Sequence, residues 1–259
     1  MLALLMGGDL ILFGIGGGGG GGILDAVGLT DSTGAGGGSV NFDDQIEEAE
    51  KRVQLNPQDP QAQLALVRVH VTAGSNAQDV DEETGQPVPN EESTQQFQQA
   101  ADAWDKYLKL NPKQVDFGAA TLVAKAFVSL AETSTTAPEA LSNIQEAAKA
   151  QQIVADEQPS GGTLSQLAIY QYFAGDTAAA DASAKEAVAK AESGQASALQ
   201  KQLDQFKKSA AAFQTQLAEA EKQAQQGQGQ GAPGAPAGDP FENPLGSSGG
   251  LGGSSLSTP

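Results

Sequence analysis

The amino-acid sequence predicts an all-α domain in the middle of the chain, built from repeated helices and flanked by glycine-rich ends that add nothing to its core. Three observations carry this. Apolar residues recur at spacings of three and four from residue 42 to about residue 225, and no segment alternates as a half-buried strand does. Most of the 32 glycines lie outside that stretch, whereas all 14 Lys and Arg lie inside it, between Lys51 and Lys222. A trio of residues at four-residue spacing also recurs: Leu66, His70, Gly74, then Val123, Phe127, Ala131, then Leu167, Gln171, Gly175.

In chain order, residues 1–24 hold apolar residues, a glycine run and then Ile23-Leu24. A membrane span, a signal segment and a glycine-rich leader are the three readings of such a stretch. Crossing the hydrocarbon takes about twenty apolar residues, a length reached here only by counting the glycines and tolerating Asp9. No Lys or Arg precedes it to set an orientation. A membrane anchor over 1–24 is the expectation, followed by a flexible Gly/Ser/Thr linker over 25–42.

Helices are predicted at 43–54, 58–73, 93–110, 115–131, 138–157, 161–174, 177–192 and 195–225. Prolines at 57, 112 and 159 stop the first, third and fifth, since proline just past a helix end forbids its continuation. Two of them sit in near-identical contexts, Gln54-Leu55-Asn56-Pro57 and Lys109-Leu110-Asn111-Pro112. The break from 75 to 93 contains Asp79, Asp81, Glu82, Glu83, Glu91 and Glu92, no basic residue, and Gly85, Pro87 and Pro89. It reads as an inserted loop with a small hairpin turning at Thr84-Gly85. Gly175 marks the next inter-helix turn, and Ser193-Gly194 the last. The helix over 195–225 carries Leu199, Leu203, Phe206, Ala210, Phe213, Leu217 and Ala220 on one apolar seam. Beyond residue 226 the Gln-Gly, Ala-Pro-Gly and Gly-Ser composition predicts a disordered tail, with 239–245 (Phe241, Leu245) as its one apolar feature and a candidate docking peptide.

The recurring trios, the prolines and the small residues at Gly175, Ala180 and Ala187 resemble the tetratricopeptide repeat, a helix–turn–helix unit whose two helices cross closely at small residues. The first complete repeat carries Ala100, Trp104, Tyr107 and Pro112 in the family's order. The insertion over 75–93, the extra residues over 132–137 and the missing proline after the last repeat depart from it. The resemblance covers about residues 43–194, roughly three repeats with a leading half. It implies a helical-hairpin solenoid over 43–194 capped by the helix at 195–225, and a role in binding other proteins. The arrangement also resembles actinobacterial membrane-anchored tetratricopeptide proteins, with an Ala-Trp-x-Lys-Tyr-Leu helix over 103–108. That resemblance implies a single-pass cell-membrane protein, with its repeats outside the cytoplasm if a basic flank precedes the span.

Composition excludes several chemistries. With no cysteine there is no disulfide, iron–sulfur cluster or thiol nucleophile. A net charge of −18 repels a phosphate backbone, so nucleic acid is not an expected partner. His70, the one histidine, lacks a serine or cysteine partner motif and reads as core or groove edge. Asp79, Asp81 and Glu83 have the alternate spacing of a calcium loop, but Thr84 stands where glycine is required and Asn90 where a bidentate Glu belongs. Gly14-x-Gly16-x-x-Gly19 matches a dinucleotide fingerprint only because any glycine run does.

No enzyme, cofactor or metal is therefore expected. The expected function is an interaction scaffold that takes a protein or peptide on the inner face of the stack. Gln63, Arg68, Lys125, Gln166 and Tyr170 are the candidate contacts, and Arg68 and Lys125 suit an acidic peptide end or carboxylate. A monomer is the first expectation. The alternative is an assembly protein that self-associates as a dimer through the seam of the last helix.

Overall fold

The computed structural model describes residues 42–227 apart from positions 83 and 193. The anchor expected over 1–24, most of the 25–42 linker, and the tail with its 239–245 segment lie outside the described residues. The chain divides into Met1–Glu221 and Lys222–Pro259, and the described residues of the second unit, 222–227, are helical.

The described residues form eight helices: α1 (Phe42–Leu55), α2 (Pro60–Ala77), α3 (Glu91–Lys109), α4 (Phe117–Thr133), α5 (Ala137–Glu157), α6 (Gly161–Phe173), α7 (Thr177–Ala189) and α8 (Ala196–Gly227). A two-stranded ribbon, β1 (Asp79–Val80) and β2 (Pro87–Val88), interrupts them between α2 and α3. The all-α expectation is met. Side chains of the expected capping type start six of the helices. Asp59, Asn90, Asp116, Thr136, Ser160 and Asp176 each accept a hydrogen bond from a free first-turn N–H, offsetting donors that have no partner inside the helix. At α3 and α6 the bond is reciprocal: Ser93 Oγ accepts from Asn90 N at 2.8 Å, and Thr163 Oγ1 from Ser160 N at 3.0 Å.

Two boundaries differ from expectation by more than two residues, the ends of α2 and α7. Helix α2 continues past residue 73 because Ser75 Oγ and Asn76 Nδ2 donate back to the carbonyls of Val71 and Thr72, both at 2.8 Å, which satisfies the end of the helix from within. Helix α7 stops at Ala189, short of the expected 192, where Lys190 N closes onto Glu186 O at 3.0 Å. The two Leu-Asn-Pro contexts also part company. Asn111 turns the chain with φ 52°, in the left-handed region, whereas Asn56 does not.

The expected hairpin is present. Asp79 pairs with Val88 and Val80 with Pro87 in antiparallel register. The Asp81 carboxylate accepts from Thr84 N at 2.7 Å and Thr84 Oγ1 at 2.8 Å, and Gly85 takes φ 69°. Asn90 Nδ2 donates to Ala77 O at 2.6 Å and closes the base of the insertion.

Each helix from α1 to α6 packs on the next, and α2 also packs on α4. One apolar core runs from Leu64 and Val67 of α2, through Trp104, Val123, Ile144 and Leu167, to Leu217 of α8. The seam of α8 belongs to it: Leu203, Phe206, Ala210, Phe213 and Leu217 are each at most 7% exposed. Phe213 meets Phe173 edge-on with ring centroids 5.7 Å apart. Lys207 Nζ bonds Asp181 Oδ1 at 2.6 Å, Tyr172 donates to the same carboxylate oxygen at 2.6 Å, and Gln214 caps the carbonyl of Phe173.

Candidate functional site

An α-helix advances by about 100° per residue, so residues three, four and seven apart share a stripe. On α2 the partly open stripe is Gln61, Ala65, Arg68 and Thr72, and the opposite stripe is Gln63, His70 and Gly74. The opposite stripe faces α3. His70 bonds Gln96 there, and a Cβ on Gly74 would sit 2.8 Å from the Phe97 ring. On α4 the open stripe holds Gly118, Thr121, Lys125, Ser129 and Glu132. On α6 it holds Gly162 and Gln166.

Of the five expected contact residues, three lie on these open stripes. Arg68 borders a groove of about 260 Å³ between α1 and α2, with Arg52, Gln45 and Gln61 around it and Ala49 and Val69 beneath. Its guanidinium is committed in part, because Nη2 donates to Asp116 Oδ2 at 2.9 Å. Asp116 is the N-cap of α4 and accepts from Ala119 N at 2.6 Å, while its own N–H donates to the Tyr107 hydroxyl at 3.0 Å. Arg68 is thus a clamp between α2 and α4 as well as a groove residue. Lys125 is exposed and makes no ion pair among the described residues. Gln166 is half-buried and hydrogen-bonds Tyr170.

The outward placement of the other two is corrected. Gln63 is only 3% exposed, because two residues along a helix is more than half a turn and carries it from the open stripe to the α3-facing one. Its Oε1 has no hydrogen-bond partner among the described residues. Tyr170 is 6% exposed although it lies one turn beyond Gln166, and burial pushes its phenol up to about 12. The negative charge of Glu132 on α4 acts on it in the same direction. Glu132 was not anticipated. Its carboxyl is half-buried, and desolvation raises it above the ordinary carboxylate value. The signal was its seven-residue spacing from Lys125 on one helix.

These stripes therefore offer amides at Gln61 and Gln166, a guanidinium at Arg68, an ammonium at Lys125 and a carboxyl at Glu132. Comparison with protein-family models, curated proteins and solved structures finds no significant match. Among the described residues, no group of three or more His, Asp or Glu is arranged to hold a metal ion, and no helix is long and apolar enough to cross a membrane.

Proposed function

We propose that α1–α8 form a tetratricopeptide-like stack that binds a polypeptide segment of another protein on the open stripes of α2, α4 and α6, and that residues 1–24 tether it to a membrane. The observation that carries this is the packing order. α2 rests on its hairpin partner α3, on the first helix of the next hairpin, α4, and on α1, and beside these contacts the stripes through Arg68 on α2 and Lys125 on α4 stay partly open. This open side has little apolar surface and many hydrogen-bonding groups. Such a face suits an extended segment held by polar contacts rather than an apolar helix. A scaffold role needs no reactive centre, in keeping with a chain that has no cysteine and one histidine.

Self-association through the α8 seam is the weaker reading, since that seam is buried in the chain's own core, with Phe213 against Phe173 of α6. The binding test is site-specific photo-crosslinking in the native cell from positions 125 and 166, with exposed Gln145 of α5 as the off-face control. A partner captured from 125 and 166, with the capture from 166 lost on Lys125→Glu, supports the reading. Capture from 145 alone moves the interface elsewhere. Retention in the pellet after alkaline carbonate extraction tests the tether separately, and full release defeats it.

A further inference from the structure

The side of α2 opposite Arg68 carries a second groove. It holds about 300 Å³ between α1 and α3, with Leu66 and His70 of α2 at its floor. His70 is 98% buried if its 2% exposure is subtracted from the whole. Its Nδ1 lies 2.7 Å from Gln96 Oε1, an atom that can only accept, so Nδ1 donates and in the neutral ring Nε2 presents a lone pair. Nε2 has no hydrogen-bond partner among the described residues. Among the described residues, Gln63 Oε1 alone is both sealed from solvent and unpartnered, so Nε2 reaches the groove. The charged side chains lining that groove are Glu50 from α1 and Asp102 and Lys106 from α3, a net negative rim.

A buried acceptor at the bottom of a groove with two carboxylates around it calls for a donor that is also a cation. We propose that this groove receives a basic side chain, Lys or Arg, of a partner polypeptide. The stem packs against Val53, Leu66 and Ala103, the charge lies between Glu50 and Asp102, and one N–H reaches His70 Nε2. This contact is on the far side of α2 from the open stripes, so it stands or falls apart from the binding face proposed above.

The chain has a single histidine, so its imidazole NMR signals need no assignment. The test titrates the full-length protein with N-acetyl-arginine methylamide and N-acetyl-lysine methylamide, with the citrulline analogue as the uncharged control. A saturable shift of the His70 signals with at least one cationic probe, absent with citrulline, is the expected result. Asp102→Asn and Glu50→Gln, both at surface positions, should each weaken that binding about fivefold, the scale of a partly exposed ion pair. No saturable shift from either cation, an equal shift from citrulline, or unchanged affinity in both variants overturns the proposal and leaves Nε2 to solvent.

Discussion

At the scale of single residues, Gly74 shows how closely two helices of this stack approach. A methyl group there would lie 2.8 Å from two carbons of the buried Phe97 ring and 3.1 Å from the carbonyl of Ser93. Alanine would favour the helix by about 1 kcal/mol, but overpacking a rigid crossing costs about 1–3 kcal/mol. Because the nearest atoms are a buried ring and backbone, the clash wins: Gly74→Ala should lower the urea midpoint, and Phe97→Leu should recover part of the loss in the double variant. Glu132 makes the opposite prediction. Its folded-state pKa lies above the unfolded value because burial disfavours the charge. The cost is therefore fully present above the folded pKa and disappears as the pH falls below the unfolded one. Glu132→Gln should stabilise the protein at neutral pH, and the gain over the parent should vanish near pH 4 in parallel melts. A variant no more stable at pH 7 would show that the carboxylate is adequately hydrated.

At the scale of elements, α8 is a lid on the last hairpin. Leu203 and Phe206 are both buried in the core, so each truncation to alanine should cost about 2–5 kcal/mol. The mass in solution should stay that of a monomer in the parent and in any variant that still folds. A parent dimer that the double substitution dissolves would instead assign the seam to self-association. The helices themselves were legible from periodicity and prolines, both of them local signals. What was not legible depends on what lies across the fold. Arg68 looks like a free groove cation until Asp116, 48 residues later, is brought beside it. Tyr170 shares a stripe with half-exposed Gln166 yet is only 6% exposed, and periodicity along one helix does not distinguish the two. Gln63 was a different failure, since its position on the helix alone separates it from Arg68, and its amide masked a buried place. His70 was correctly read as core or groove edge, but its open nitrogen depends on Gln96 at the α2–α3 contact.

At the scale of the whole molecule, contacts run mainly between sequence neighbours, so stability is expected to vary from helix to helix rather than to be uniform. Helix α1 packs on α2 alone and buries only Ala49 among its residues. Helices α4 and α5 pack on each other and on neighbours at both sides. Native-state hydrogen exchange should therefore release the amides of α1 first and those of α4 and α5 last. Equal protection throughout would mean that the domain opens only as one cooperative unit.

Trp104, the chain's one tryptophan, lies 2% exposed on α3 with its ring centroid 5.3 Å from that of Tyr107. The protein thus carries a single indole, which can be excited apart from its three tyrosines and is seated in the α2–α4 part of the core. Its emission should be blue-shifted while α3 is packed and should red-shift only when water reaches that part. Far-UV dichroism, in contrast, sums over every helix. If α6–α8 detach before α2–α4, the dichroism will fall while the emission holds, and the gap between the two curves becomes a direct optical measure of how far opening has spread from the α8 end.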